Sequence, residues 1–400
     1  MKTEYKIGDR LEVAIQKIVP QGLGLAFAEN LTVFVPLSAA GDKLSVKIFQ
    51  LKGKTAFAEI EAVIEPSLLR IEPPCKYFGK CGGCDFQQMT YDAQLSAKLD
   101  MIRDSLKRIG KIEFENDIPI IASPKPFEYR SRTQWHLETR QRKIGYFKRN
   151  SHDIIDIEHC PILDPTLDNT LKDLRNTLNW DGFWANRAEI EAACGSDGSV
   201  SLFSPEIMEP TKDISFTAGD FKYSYSAQSF FQGNQSLIEQ LLETALSGAS
   251  GERALDLYCG VGLFTLPLAK KFSQVIGVEG NERAIEFATR NAENARLENV
   301  SFAAEGVGEF LAGHQLDGTD FVLLDPPRTG TEKDVINKII KLHPQNISYV
   351  ACDPSMLARD LRQLIDGGYV IVSITALDLF PQTHHVETVV RLKTRQKHDR

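Results

Sequence analysis

The chain has 400 residues, 42% of them hydrophobic, and its 46 Lys and Arg against 54 Asp and Glu give a formal net charge of −8. That length holds two or three domains with ordinary globular cores, and an acidic average excludes a surface that binds nucleic acid all over, though not a local basic face. No apolar run reaches the length that spans a bilayer and Met1–Lys6 shows no signal segment, so no membrane partner and a cytoplasmic location are expected. Seven cysteines in such a reducing compartment are expected as ligands or nucleophiles rather than as disulfides.

Residues 1–64 read as short strands. Leu11, Val13 and Ile15 alternate with polar neighbours, as do Leu44, Val46 and Ile48, with turns at Gly8-Asp9, Gly22-Leu23-Gly24 and Gly41-Asp42. That spacing predicts a small OB-like barrel, a candidate RNA-binding module.

Pro66, Pro73 and Pro74 then mark a linker into residues 65–216. Cys75, Cys81 and Cys84 fall within ten residues, and Glu158-His159-Cys160-Pro161 offers a fourth thiol. Four thiolates hold either zinc or an iron–sulfur cluster. Zinc usually takes thiols in paired two-residue knuckles; here one spacing is long and the fourth thiol is remote and followed by proline, which favours a four-iron cluster. A helix is expected from about Asp92 to Ile109, and turn-rich strands to about Phe216. Between Met101 and Asn150, twelve Lys or Arg face six Asp or Glu, and Arg130, Arg132, Arg140, Arg142, Lys143, Lys148 and Arg149 are interleaved with Tyr129, Trp135, Tyr146 and Phe147. The pattern fits phosphate contacts with base stacking, and it fits a solvated charged sheet equally well.

From about Phe221 strand and helix alternate, which predicts a mostly parallel, doubly wound sheet over residues 217–400. Ala254–Tyr258 and Val275–Glu279 read as strands, and Ala284, Ile285, Ala288, Ala292 and Ala295 mark a helix. Gly260 and Gly262 follow the first strand, where the backbone must turn tightly and let a ligand approach. Glu279 ends the next strand, where a carboxylate reaches a ribose hydroxyl. Thr265 stands where a dinucleotide fingerprint needs its third glycine, so S-adenosylmethionine fits better than NAD. The strand Phe321–Leu324 ends in Asp325-Pro326-Pro327-Arg328; a similar acid-Pro-Pro element in methyltransferases of exocyclic amino groups ends in an aromatic ring, and Arg328 points instead to carbon or another atom as acceptor.

Cys352 closes the apolar run Ser348–Ala351, and Pro354 opens a helix carrying Leu357, Leu361 and Leu364. It is a candidate nucleophile at a strand end, facing a helix N-terminus whose partial positive charge favours thiolate. Cys194 and Cys259 have no evident partner and are expected to be structural.

Taken together, these motifs resemble the RNA uracil-5-methyltransferases that use S-adenosylmethionine, over nearly the whole chain. The resemblance implies a Rossmann-like methyltransferase domain, an N-terminal TRAM domain and a central β-rich iron–sulfur domain. It implies Cys75, Cys81, Cys84 and Cys160 as ligands of a [4Fe-4S] cluster. Ser229-Phe230-Phe231-Gln232 resembles the segment whose glutamine touches the cofactor, alongside Tyr258, Glu279 and Asp325. Ala351-Cys352-Asp353-Pro354 resembles the nucleophile motif, and Phe380-Pro381-Gln382-Thr383-His384-His385-Val386-Glu387 the segment ending in the catalytic glutamate. Tyr129-Arg130-Ser131-Arg132 resembles a segment that meets RNA, and Phe230 is placed with those contacts. The implied reaction is addition of Cys352 to carbon 6 of a uracil, methylation at carbon 5 and removal of the carbon 5 proton by Glu387. The implied substrate is 23S ribosomal RNA, with transfer RNA as the alternative, and the enzyme is expected to act as a monomer. A cytosine-5 methyltransferase ranks lower, because those enzymes usually carry Pro-Cys where this chain has Cys352-Asp353-Pro354, as does a non-catalytic RNA-binding assembly factor.

Overall fold

A computed structural model of the chain describes residues 5–206 and 211–395. Six strands form the N-terminal unit: β1 (Arg10–Ala14), β2 (Lys17–Val19), β3 (Leu23–Ala28), β4 (Leu31–Pro36), β5 (Lys43–Lys52) and β6 (Thr55–Glu65). They pair in the order β1-β5-β6-β4-β3-β2, and β1 also touches β3, so the sheet curls on itself. The predicted alternation decides which face turns inward: Val13, Leu44, Val46 and Ile48 are buried.

Helix α1 (Tyr91–Arg108) follows the cysteine-bearing linker and serves two cores at once. Ala97 and Met101 pack into the barrel, whereas Ile102 and Leu106 pack against the C-terminal domain. The two-residue strand β7 (Ile120–Ile121) then joins the C-terminal sheet, far from its sequence neighbours.

The central unit is an antiparallel sheet of β8 (Arg132–Glu138), β9 (Lys143–Phe147), β10 (Ile154–Asp156), β11 (Arg187–Cys194) and β12 (Val200–Phe203), in the order β10-β9-β8-β11-β12. Helix α2 (Pro165–Thr177) covers one face, and Trp135, Leu137, Ile144, Leu167, Leu171 and Ile190 fill the space between. Asp164 caps α2 by accepting from the Thr166 amide, and Pro165 takes the first helical position. A hairpin, β13 (Ile214–Ala218) with β14 (Phe221–Tyr225), leads onward. A boundary at residue 216 falls inside β13, and the hairpin's Phe221, Tyr223 and Tyr225 are buried in the C-terminal core.

That C-terminal domain contains α3 (Ile238–Ala245), β15 (Gly251–Leu257), α4 (Thr265–Leu268), β16 (Phe272–Glu279), α5 (Glu282–Asn294), β17 (Val300–Ala304), α6 (Val307–Gly313), β18 (Phe321–Leu324), α7 (Val335–Leu342), β19 (Asn346–Ala351), α8 (Pro354–Asp366), β20 (Tyr369–Leu377) and β21 (Glu387–Thr394). The eight-stranded sheet runs β17-β16-β15-β18-β19-β21-β20-β7, with β15 to β19 parallel and β21 antiparallel to both its neighbours. Strand order reverses between β15 and β18, the place where open α/β sheets leave a crevice at their carboxyl ends. Among the described residues no helix is long and apolar enough to cross a membrane.

One fully buried ion pair ties the N-terminal half to this sheet. Lys98 Nζ on α1 contacts Asp378 Oδ1 at 2.5 Å with both side chains shut off from solvent, and the Tyr91 hydroxyl donates to Asp378 Oδ2 at 2.8 Å. Removing one partner strands the other charge, which costs far more than losing both. Lys98→Met is therefore expected to destabilise the protein by about 3–5 kcal/mol in urea unfolding, and Lys98→Met/Asp378→Leu to recover most of that loss.

Candidate active site

The sheet's carboxyl edge collects the predicted residues through strand register. Leu257 pairs with Val278 and with Leu324, so Tyr258, Glu279 and Asp325 emerge side by side just beyond β15, β16 and β18. Ala351 pairs with Thr388, which sets Cys352 across from Glu387, the first residue of β21, at the roughly 5 Å Cα spacing of antiparallel neighbours. The chain positions nearest the crevice are thus a thiol and carboxylates.

On the cofactor side, Tyr258 and Gly260 adopt left-handed backbone, with φ of 65° and 53°. The turn aims the Gly260 amide at Glu279, whose Oε2 accepts it at 3.2 Å while Oε1 accepts the Asn281 amide at 2.9 Å. Glu279 is held in place with lone pairs to spare for a diol. The Tyr258 hydroxyl is buried with no partner, and so is Asp256 Oδ1, whose other oxygen accepts from Thr265. Gln232, also buried, donates from Nε2 to Asp325 Oδ2 at 3.4 Å.

The electrostatics differ from expectation at Cys352. The N-terminus of α8 exists as predicted, with Pro354 at its first position, but its free amides are taken by Asp353, whose Oδ1 accepts from Ser355 at 2.8 Å and Met356 at 3.0 Å. Burial, then the charges of Glu387 and Asp325, push the thiol up to about 12, with Arg328 pulling the other way. Glu387 is only 2% exposed, its Oε1 has no partner, and burial followed by Asp325 holds its proton well above the carboxylate range against Arg328. Asp325 is raised to about 7 by burial and then by Asp256. Burial and two neighbouring acids thus favour thiol over thiolate at Cys352.

A cleft of about 1110 Å³ opens beside these residues and is lined by all three units. Gln232, Phe230, Arg328 and His385 come from the C-terminal domain, Arg130, His136, Phe147 and Lys148 from the central sheet, and Phe49 and Phe57 from the barrel. Phe230 is 61% exposed there. Of the basic stretch, Arg130, Arg132, Lys148 and Arg149 reach the cleft, whereas Arg142 is spent on Asp181. Arg132 donates to the carbonyls of Ser229 and Ala227 and to Glu191, all at 2.6 Å, so it pins the turn that presents Phe230 and Gln232. Phe49 and Phe57 escaped the sequence reading. Phe49 breaks the inward alternation of Leu44, Val46 and Ile48, and an exposed ring out of phase with a buried face was the available signal.

The four predicted ligand cysteines line a single cavity with Tyr77, Phe78, Gln87 and Arg130. Among the described residues no three His, Cys, Asp or Glu side chains are gathered into a ready-made metal site. Arg130 lines both this cavity and the cleft. Cys194 and Cys259 are buried elsewhere.

A doubly wound domain with a nucleoside-type crevice, opening onto a cleft shared with a small β-barrel, defines a class of RNA-modifying transferase. The tRNA (Uracil-5-)-methyltransferase family model matches residues 206–395 and the TRAM domain model residues 4–60. An uncharacterised RNA methyltransferase of Thermosynechococcus vestitus is 30% identical, over 98% of this chain and 99% of that one. A 23S rRNA (uracil(1939)-C(5))-methyltransferase of Pseudomonas entomophila is also 30% identical, over 97% and 94%. Among solved structures, the Pyrococcus abyssi tRNA (uracil-54, C5)-methyltransferase in complex with S-adenosyl-L-homocysteine matches with a TM-score of 0.75 at 27% identity, over 96% of this chain and 100% of that one. The chain belongs to the S-adenosylmethionine-dependent RNA uracil-5-methyltransferase family.

The crowding of acids makes a prediction about the thiol. Alkylation of Cys352 by iodoacetamide, followed by peptide mass spectrometry, is expected to rise only toward a midpoint near 12. Glu387→Gln removes a negative neighbour that disfavours thiolate and should lower that midpoint, and Arg328→Gln removes the opposing cation and should raise it.

Proposed function

We propose that the enzyme methylates carbon 5 of a uridine in 23S ribosomal RNA through a covalent bond between Cys352 and carbon 6. The observation that carries this reading is the β19–β21 register, which sets Cys352, at the carboxyl end of β19, beside the buried carboxylate of Glu387.

Carbon 5 of uracil is a weak nucleophile, and thiolate addition at carbon 6 pushes an electron pair toward it. In the proposed sequence the Cys352 Sγ–C6 bond forms and the C5–C6 double bond becomes an enolate extending to the carbon 4 oxygen. S-adenosylmethionine supplies the electrophilic methyl group and leaves as S-adenosylhomocysteine. Glu387 then takes the proton from carbon 5, the C5–C6 double bond reforms and Cys352 departs as thiolate. Gln232 and Asp325, joined by their hydrogen bond, are assigned to orient cofactor or base. Because burial and neighbouring acids raise Cys352, Glu387 and Asp325 above their ordinary values, a positive charge brought into the crevice favours ionisation of each. Thiolate formation is thereby tied to cofactor occupancy. A paired uracil could not expose carbon 6 to a buried thiol, so the target base must be unpaired or flipped.

Arg130 and Phe230 are assigned to RNA through the cleft they line, and Arg132 acts there through the turn it holds. Cys75, Cys81, Cys84 and Cys160 are assigned to a [4Fe-4S] cluster. Their all-thiol donor set suits iron–sulfur ligation, and their shared cavity supports the choice. No step of the reaction needs its redox chemistry. The solved neighbour's transfer RNA substrate supports transfer RNA as the second reading. The enzyme is taken to act in the cytoplasm as a monomer.

Four measurements test the proposal. Cys352→Ala should lose methyl transfer to bulk RNA while still binding S-adenosylhomocysteine, and retained activity would eliminate the covalent route. In Glu387→Gln a denaturation-resistant protein–RNA adduct should accumulate. Protein purified without oxygen should carry about four irons and the matching visible absorption, whereas one zinc and no iron would reassign the cysteines. Mapping 5-methyluridine in a strain lacking the enzyme separates the two RNA readings.

A further inference from the structure

The segment Phe380–Val386 carries no regular structure, yet it delivers Glu387 to the crevice. It is held almost entirely from outside the methyltransferase sheet. Lys98 Nζ donates to the Phe380 carbonyl at 3.0 Å, and the Tyr129 hydroxyl to that of Pro381 at 2.9 Å. The Gln382 amide donates to Gln94 Oε1 at 3.0 Å, and its carbonyl accepts from the amides of Asp85 and Phe86 at 2.9 and 3.1 Å. Gln382 itself sits in left-handed backbone, φ 68°, a conformation that persists for a non-glycine residue only when its surroundings impose it.

Two residues further on, His384 is fixed by its side chain. Its Nδ1 lies 2.6 Å from Asp85 Oδ2, while Asp85 Oδ1 accepts from Arg149 Nη1 at 2.9 Å and Arg149 Nη2 donates to the Cys84 carbonyl at 2.5 Å. From the other side the barrel closes in: a Cβ placed on Gly22 would lie 2.8 Å from His384 Cβ and 3.1 Å from the ring of Phe86. His384 is wedged where barrel, cysteine loop and catalytic segment meet.

We infer that Asp85 and His384 are positioning residues that brace the cysteine loop against the segment carrying Glu387, so that this contact sets the rate of proton removal from carbon 5. The inference rests on the proposed roles of Cys352 and Glu387. It follows from mechanics: His384 lies three residues before Glu387, the intervening chain is short, and an error of about 1 Å in a catalytic group costs on the order of 100-fold in rate. Displacement of the cysteine loop is then felt at the carboxylate as well as in the fold.

The test separates bracing from stability. Asp85→Ala is expected to lower kcat by about 10- to 100-fold with KM for S-adenosylmethionine within about two-fold, because the Glu279 side of the crevice is untouched. It should also raise the fraction of protein caught as a methylated, denaturation-resistant RNA adduct, since addition and methyl transfer outrun elimination. Asp85→Asn keeps an acceptor for His384 Nδ1 and should restore most of kcat. Should Asp85→Ala fail to fold, His384→Ala carries the same expectation, because it removes a partly exposed ring. Loss of kcat with no rise in adduct, or unchanged kcat in Asp85→Ala, would overturn the bracing role. Glu387→Gln, run alongside, tells the two ideas apart: adduct in Glu387→Gln but not in the Asp85 or His384 variants defeats the brace alone, and adduct in neither defeats the covalent mechanism beneath it.

Discussion

The antiparallel pairing of β19 with β21 is the constraint on which the proposed chemistry depends. A one-residue slip in that register would turn Cys352 and Glu387 to opposite faces, because side chains alternate along a strand. The sheet resists such a slip through burial. Val389, Val390, Leu392, Tyr349 and Val350 are packed on both faces, and an offset of one would drive Lys393 or Arg391 into the core. The fold's hydrophobic pattern therefore sets the position of Cys352 relative to Glu387, the pair proposed to react.

Burial that secures the register also makes the acids hard to ionise. A thiol pushed up to about 12, a carboxyl raised to about 7 and a second held well above the carboxylate range are what three neighbouring acids become when water is withdrawn. Arg328 supplies the opposing charge for Cys352 and Glu387, and it stands where amino-group methyltransferases place an aromatic ring. In this site the position after the two prolines works electrostatically. A thiol held protonated in this way is a poor nucleophile, so the proposed reaction requires a neighbouring positive charge to ionise it.

Local patterns were legible in the sequence wherever the structure is local. The Phe321–Leu324 strand falls where its apolar run predicts, α1 ends within a residue of expectation, and Pro354 marks the start of α8. What escaped involves distance. Two-residue β7 has no periodicity to read, α1 divides its faces between two cores, and Asp85 meets His384 across 299 positions. The thiolate expectation for Cys352 rested on a helix N-terminus, which is visible in sequence, whereas the carboxylates that oppose it come from other strands and are not. Arg132 reads as a free cation beside aromatics, yet its guanidinium is committed to backbone carbonyls of a turn about a hundred residues away.

The central claim is that Cys352 bonds covalently to the target base. The most direct measurement uses RNA in which uridine is replaced by 5-fluorouridine, so that carbon 5 carries fluorine where a proton would have to leave. Digestion and mass spectrometry of the wild-type enzyme after incubation with S-adenosylmethionine should find the peptide containing Cys352 joined to a methylated fluorouridine nucleotide. Absence of any such conjugate, or its attachment to one of the other six cysteines, would contradict the account.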